Sequence, residues 1–126
     1  MPSLPILAAA LFAASPAPAA PPQTLFLDNC SACHQASGQG VKGAFPALAG
    51  DPFVQGDGVA MAQVVLNGRG GMPAFKTDLD DDVIAAILTY VRSSWGNKGK
   101  PVSAADVAAA RAATNAAQVH RPMQAH

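Results

Sequence analysis

Apolar positions in this chain recur at helical spacing, and nowhere do they alternate in the manner of a strand. The clearest set is Val83, Ile84, Ile87, Leu88 and Val91, with Tyr90 beside them. It predicts a helix from about Asp80 to Ser94. Asp78 or Asp80 can cap it, Asp80-Asp81-Asp82 suits the positive end of its dipole, Arg92 suits the negative end, and Gly96 stops it. Val59 to Leu66 predicts a shorter helix, with Met61, Val64 and Val65 available to a core and Asn67-Gly68 as its stop. Thr24 is positioned to cap another that runs through Leu25, Phe26 and Leu27 to Cys30. Ser103-Ala104-Ala105-Asp106 resembles a reciprocal cap, with an alanine-rich helix following to about Ala117. Between these elements, Ser37 to Gly58 is rich in Gly and Pro and predicts loops around Pro46 and Pro52. Gly70-Gly71-Met72-Pro73 must be irregular backbone.

The first 20 residues follow a different rule. Leu4 to Ala14 is apolar and alanine-rich, and Ser15-Pro16-Ala17-Pro18-Ala19-Ala20 follows, ending in an Ala-x-Ala site. This is the pattern of a secretory signal, and it implies an exported, periplasmic protein. No Lys or Arg precedes the apolar stretch, so the basic start of such signals is missing. The expected organisation is a signal at 1–20, one domain at 21–100, and a C-terminal helix with a frayed tail at 101–126.

Composition changes the picture in one respect. Half of the 126 residues are nominally hydrophobic, but 28 of them are alanine, so little bulk is left to fill a core. Small chains of this kind are completed by a metal, a cofactor, disulfides or a partner. Eight basic residues balance eight acidic ones, and all eight acids are Asp. That balance gives no electrostatic footprint for nucleic acid. No apolar run reaches the roughly 20 residues of a membrane span. The two cysteines stand three positions apart, too close to frame a disulfide scaffold.

Those cysteines carry the chemistry. Cys30-Ser31-Ala32-Cys33-His34 reads as a site of covalent haem c attachment. On one helical turn, two sulfurs at this spacing reach the two vinyl groups of one porphyrin edge, and the next residue aims its imidazole at the iron. A zinc site needs further ligands, and outside the pentad the chain offers no cysteine and only His120 and His126. A thioredoxin-like dithiol needs a βαβ context, which the pattern lacks. A sixth iron ligand must come from elsewhere. Met61 sits among Val59, Val64 and Val65 and reads as a core gap-filler; Met123 lies in the tail. Met72, between Gly71 and Pro73, is on a loop that lets a thioether approach a metal without a bulky neighbour. His34 and Met72 then fill both axial positions, which favours electron transfer over catalysis and raises the potential relative to a second histidine.

Residues 22 to 96 resemble the small monohaem c-type cytochromes of class I. Cys30 and Cys33 stand where the family has its thioether anchors, His34 where it has the proximal ligand and Met72 where it has the distal one. Phe45-Pro46-Ala47-Leu48 resembles the family's Pro-x-Leu loop. The resemblance implies that the Pro46 carbonyl accepts the proximal imidazole N–H and that Leu48 packs on the porphyrin. Phe26, Ile87 and Tyr90 match the contact between the family's first and last helices. Where the family usually has glycine four residues before that aromatic, this chain has Pro22, which predicts a late-starting first helix or a looser crossing. From Val64 to Arg111 the chain also looks like a haem domain from the cytochrome subunits of bacterial periplasmic alcohol and aldehyde dehydrogenases.

The expectation is an all-α class I cytochrome c fold of four to five short helices around one covalent haem c. The resemblance implies a periplasmic one-electron shuttle rather than an enzyme, with redox proteins as partners: a dehydrogenase or quinol-oxidising donor, and an oxidase or other cytochrome as acceptor. Cofactor contacts fall to Cys30, Cys33, His34, Pro46, Leu48 and Met72, with His34 and Met72 on the metal. A competing expectation is a haem enzyme or gas sensor whose sixth ligand is open or displaceable; a third is a binding module without haem. Residues 31–41 and 70–75 carry no charge, while Lys42, Arg69 and Lys76 stand just outside, so an uncharged contact ringed by three bases is expected at the exposed edge.

Overall fold

The computed structural model describes residues 20–119. The stretch read as a signal, 1–20, lies outside these residues apart from Ala20, and so do His120, Met123 and His126. Six helices form among the described residues: α1 (Pro22–Asn29), α2 (Ser31–His34), α3 (Pro52–Gln55), α4 (Gly58–Asn67), α5 (Asp81–Ser93) and α6 (Ala104–Val119). The excess over the expected four to five comes from α2 and α3, each a single turn. No strand forms among these residues; there are isolated bridges between Val41 and Phe45 and between Arg69 and Met72.

Local chemistry explains where the helices begin. α1 starts at Pro22 itself, not after Thr24, because proline at the first helical position loses no hydrogen bond and already has a helical φ. Asp51 caps α3 by accepting from the Val54 amide, with Pro52 next in line. Asp57 caps α4 by accepting from Val59 and Ala60. Ser103 and Asp106 cap α6 reciprocally: the Asp106 amide donates to Ser103 Oγ at 3.1 Å, and the Ser103 amide donates to Asp106 Oδ2 at 2.9 Å.

The core forms where α1, α4 and α6 pack on or beside α5. Phe26, Leu66, Ile84, Leu88 and Val107 are fully buried, and small Ala62 and Ala110 let the helices approach closely. Met61 lies inside at 6% exposure, whereas Val64 and Val65 are only half-buried. Phe26 meets Tyr90 at 5.6 Å and Trp95 edge-on at 5.2 Å between ring centroids, so α1 is well seated on α5 despite Pro22. Arg92 is buried near the end of α5. Its three nitrogens donate to the carbonyls of Lys100, Val54 and Gly56, which ties α3 and the segment after α5 together. The packed helices leave two irregular loops, 35–51 and 68–80, on the outside.

Candidate functional site

Cys30 ends α1 and opens α2. Its carbonyl accepts from the amides of Cys33, at 3.3 Å, and His34, at 3.0 Å, which closes one tight turn. That turn carries both half-buried thiols and the imidazole together. Burial, and then the electrostatic influence of the nearby Cys33, push the free Cys30 thiol up to about 11. His34 is 8% exposed, and its Nδ1 lies 2.9 Å from the Pro46 carbonyl oxygen. A carbonyl can only accept, so Nδ1 carries the proton and donates it, leaving the Nε2 lone pair as the ring's one ligating position.

Two features hold Pro46 at that distance and set the chain that follows it to Leu48. Gly40 passes so close to the Phe45 and Pro46 carbonyls that a Cβ there would have to displace backbone. Below it, the Leu48 and Ala49 amides both donate to the Gly38 carbonyl. The buried Asn97 then fastens this segment to α5: its amide donates to the Leu48 and Val91 carbonyls, and its oxygen accepts from the Gly50 amide. Leu48 packs, half-buried, against the core cluster. Sequence reasoning missed Asn97 because a polar residue after a helix end reads as loop, and it missed Arg92's anchoring role for the same kind of reason. Nothing local marked the three carbonyls that meet Arg92.

Met72 belongs to the second loop. The Arg69 amide donates to the Met72 carbonyl at 3.2 Å and the Met72 amide to the Arg69 carbonyl at 2.9 Å, which closes a turn through Gly70 and Gly71. Gly68, at φ +73°, faces the Met72 carbonyl with no room for a Cβ. The Arg69 guanidinium lies 4.9 Å above the Phe53 ring, so this loop leans on α3. Met72 is partly exposed. The structure thus gathers Cys30, Cys33, His34 and Pro46 into one connected unit, keeps Leu48 beside it through Asn97, and carries Met72 on a separate, braced loop. Trp95 covers the core against Phe26 and Tyr90, as a helix-end aromatic does.

These residues fit a flat, largely apolar group bearing a metal ion. The imidazole is oriented with one nitrogen free to ligate. Val41 and Phe45 in the first loop and Phe53 in α3 are 40–42% exposed, and large apolar side chains left this open call for a cover.

Residues 17–91 match the family described as "Cytochrome C oxidase, cbb3-type, subunit III". The cytochrome c subunit of a quinone-dependent alcohol dehydrogenase from Gluconobacter oxydans (strain 621H) is 36% identical over 96 residues, which cover 66% of this chain and 20% of that protein. The gluconate 2-dehydrogenase cytochrome c subunit of Pantoea cypripedii is 33% identical over 102 residues, covering 70% of this chain and 23% of the relative. The chain therefore spans about a fifth to a quarter of these two relatives. Cytochrome c-552 of Thermus thermophilus is closer in size: 35% identity over 104 residues covers 67% of this chain and 79% of the relative.

Proposed function

The chain belongs to the c-type cytochromes of the cbb3-type subunit III family and carries the haem c of an electron carrier, and from that membership we propose that it is an exported shuttle for single electrons. Residues 1–20 direct it to the periplasm, 21–100 form the haem domain, and 101–126 add the last helix and a tail. Bound haem c supplies the one-electron couple of its iron. Cys30 and Cys33 would hold the group by thioether bonds, His34 and Met72 would ligate its iron, and Leu48 would pack against it. The donor is a dehydrogenase or a quinol-oxidising complex, and the acceptor is an oxidase or another cytochrome. With His34 and Met72 both ligating, the iron would have no open position for a substrate, which favours an electron carrier over an enzyme.

The observation that carries this reading is the His34–Pro46 hydrogen bond on the turn that also bears both thiols. The bond fixes the tautomer and ring plane and makes Nε2 a stronger donor to a metal. Met72 gains support from its turn with Arg69, which holds the backbone without using the side chain. Methionine is a soft, neutral ligand and favours the reduced ion.

Two measurements test the proposal. Intact mass of the purified protein should exceed the polypeptide by one haem and should begin after the signal. The ferric spectrum should show the weak red band of thioether ligation, lost in Met72→Ala and kept in Met61→Ala. A ferric protein with no such band transfers the reading to a haem enzyme or gas sensor with an open iron position; a band that survives Met72→Ala and is lost in Met61→Ala moves the ligand to Met61.

A further inference from the structure

The loop 68–80 is tied to the rest of the molecule at both ends by one turn of one helix. At its start, Asn67 closes α4 and its side-chain amide donates to Thr114 Oγ1 at 3.0 Å. At its end, Arg111 uses all three guanidinium nitrogens. Nε donates to Asp81 Oδ1 at 2.7 Å, Nη2 to the Leu79 carbonyl at 3.0 Å, and Nη1 to the Lys76 carbonyl. Arg111 and Thr114 are three positions apart on α6 and so share a face. That face is firmly placed, because Val107 and Ala110 are fully buried against the core and the Ser103–Asp106 pair caps the helix. Within the loop, the backbone bonds are otherwise local apart from Phe75 donating to Val65 in α4. α6 also lies outside residues 17–91, the part matched by the family.

We infer that α6 is a positioning element for Met72: Arg111 and Thr114 hold the two ends of the loop 68–80 and set how often it opens. The consequence for iron ligation rests on Met72 being the axial ligand; the restraint on the loop does not. A guanidinium can satisfy two adjacent carbonyls and a carboxylate at once because its donors are fixed in a plane. Losing that fork frees the last turn of the loop, and closing the loop then costs more chain entropy.

The holoprotein and its Arg111→Gln, Thr114→Val and Ile87→Val variants decide the matter. Ile87→Val weakens the core without touching the loop and serves as the control for general destabilisation. Amide hydrogen exchange at Met72 and Phe75 should quicken about tenfold in Arg111→Gln, the factor for one lost hydrogen bond from a charged group, and less in Thr114→Val. Imidazole binding to the ferric protein, which must displace the thioether, should quicken by a similar factor. Loop exchange in Arg111→Gln that rises no more than in Ile87→Val overturns the inference. Loop exchange that rises while the imidazole rate stays fixed leaves α6 as the restraint on the loop and removes Met72 from the iron.

Discussion

An imidazole that gives its Nδ1 proton to a carbonyl has already chosen which nitrogen faces everything else. His34 makes that choice through Pro46, and the choice depends on residues that touch neither ring nor metal. Asn97 is the chief of these. Its three hydrogen bonds satisfy the Leu48 and Val91 carbonyls and the Gly50 amide. Asn97→Ala leaves those groups partly orphaned and should destabilise the protein by roughly 2–4 kcal/mol, measured by thermal unfolding of the holoprotein. Asn97→Asp should melt no higher than Asn97→Ala, since a buried carboxylate keeps the Gly50 contact but sets an acceptor against the Leu48 and Val91 carbonyls. Gly68→Ala is a sharper perturbation of the other loop. A Cβ meets the Met72 carbonyl at a positive φ, so this variant should lose the thioether band while α-helical circular dichroism is retained. The pentad stood out in the sequence because its chemistry needs particular residues at a particular spacing, Met72 stood out because Gly71 and Pro73 flank it, and Pro46 was picked out only through the resemblance to class I cytochromes. Asn97 and Arg92 did not stand out, because four of their six hydrogen-bond partners lie 36 to 49 positions away in the chain.

Helices were legible wherever apolar spacing or a cap announced them. The α5 pattern predicted its bounds to within a residue, and Ser103–Asp106 forms the reciprocal cap that the sequence suggested. α3 was read as loop, because four residues are too few for periodicity, although Asp51-Pro52 already held a cap and a first-turn proline. α1 begins earlier than expected for the converse reason: Thr24 resembles a cap, but Pro22 starts the helix without one. The cap on α6 makes a prediction about acid. The Ser103 amide and hydroxyl hold the Asp106 carboxyl below the ordinary carboxylate range. A lowered pKa means that the folded state releases the proton more readily, so this contribution is present above about pH 3.9 and is lost as pH falls through the folded value. Below about pH 4, wild-type melting temperature should therefore fall more steeply than that of Asp106→Asn. Ser103→Ala should lower stability by about 1 kcal/mol at neutral pH, seen as a shift of the denaturation midpoint.

At the scale of the molecule, alanine is the governing residue. Ala62 and Ala110 are buried where helices meet, and they bring backbones together without filling much space. Large apolar groups such as Phe45 and Phe53 remain 40% exposed, so the polypeptide alone covers itself poorly. Replacing Cys30 and Cys33 together with Ala should leave a chain with little helical circular dichroism and no cooperative melt, since haem supplies packing that the side chains do not. The exposed Lys42 and Arg69, with the half-buried Lys76, lie around the loop segments that carry no charge. Electron transfer to an acidic redox partner should slow as added salt shortens the roughly 10 Å screening length of 0.1 M buffer, and stopped-flow rates across a salt series read this directly. A rate indifferent to salt would leave docking to apolar contact alone.

Trp95 gives the molecule its own optical gauge. It is the chain's single tryptophan, wedged against Phe26 and Tyr90 on one side and closing over Gly38 on the other. Gly38 is the residue whose carbonyl receives the Leu48 and Ala49 amides, so the indole touches the first loop and the helical core at once. Its emission should be blue-shifted while the loop is shut and dimmed by energy transfer to a bound haem. When the loop lifts away, the indole meets water and the emission should redden; in a chain that has not received its haem, it should be brighter. Colour and intensity would then report two separate events from one native fluorophore, without a label.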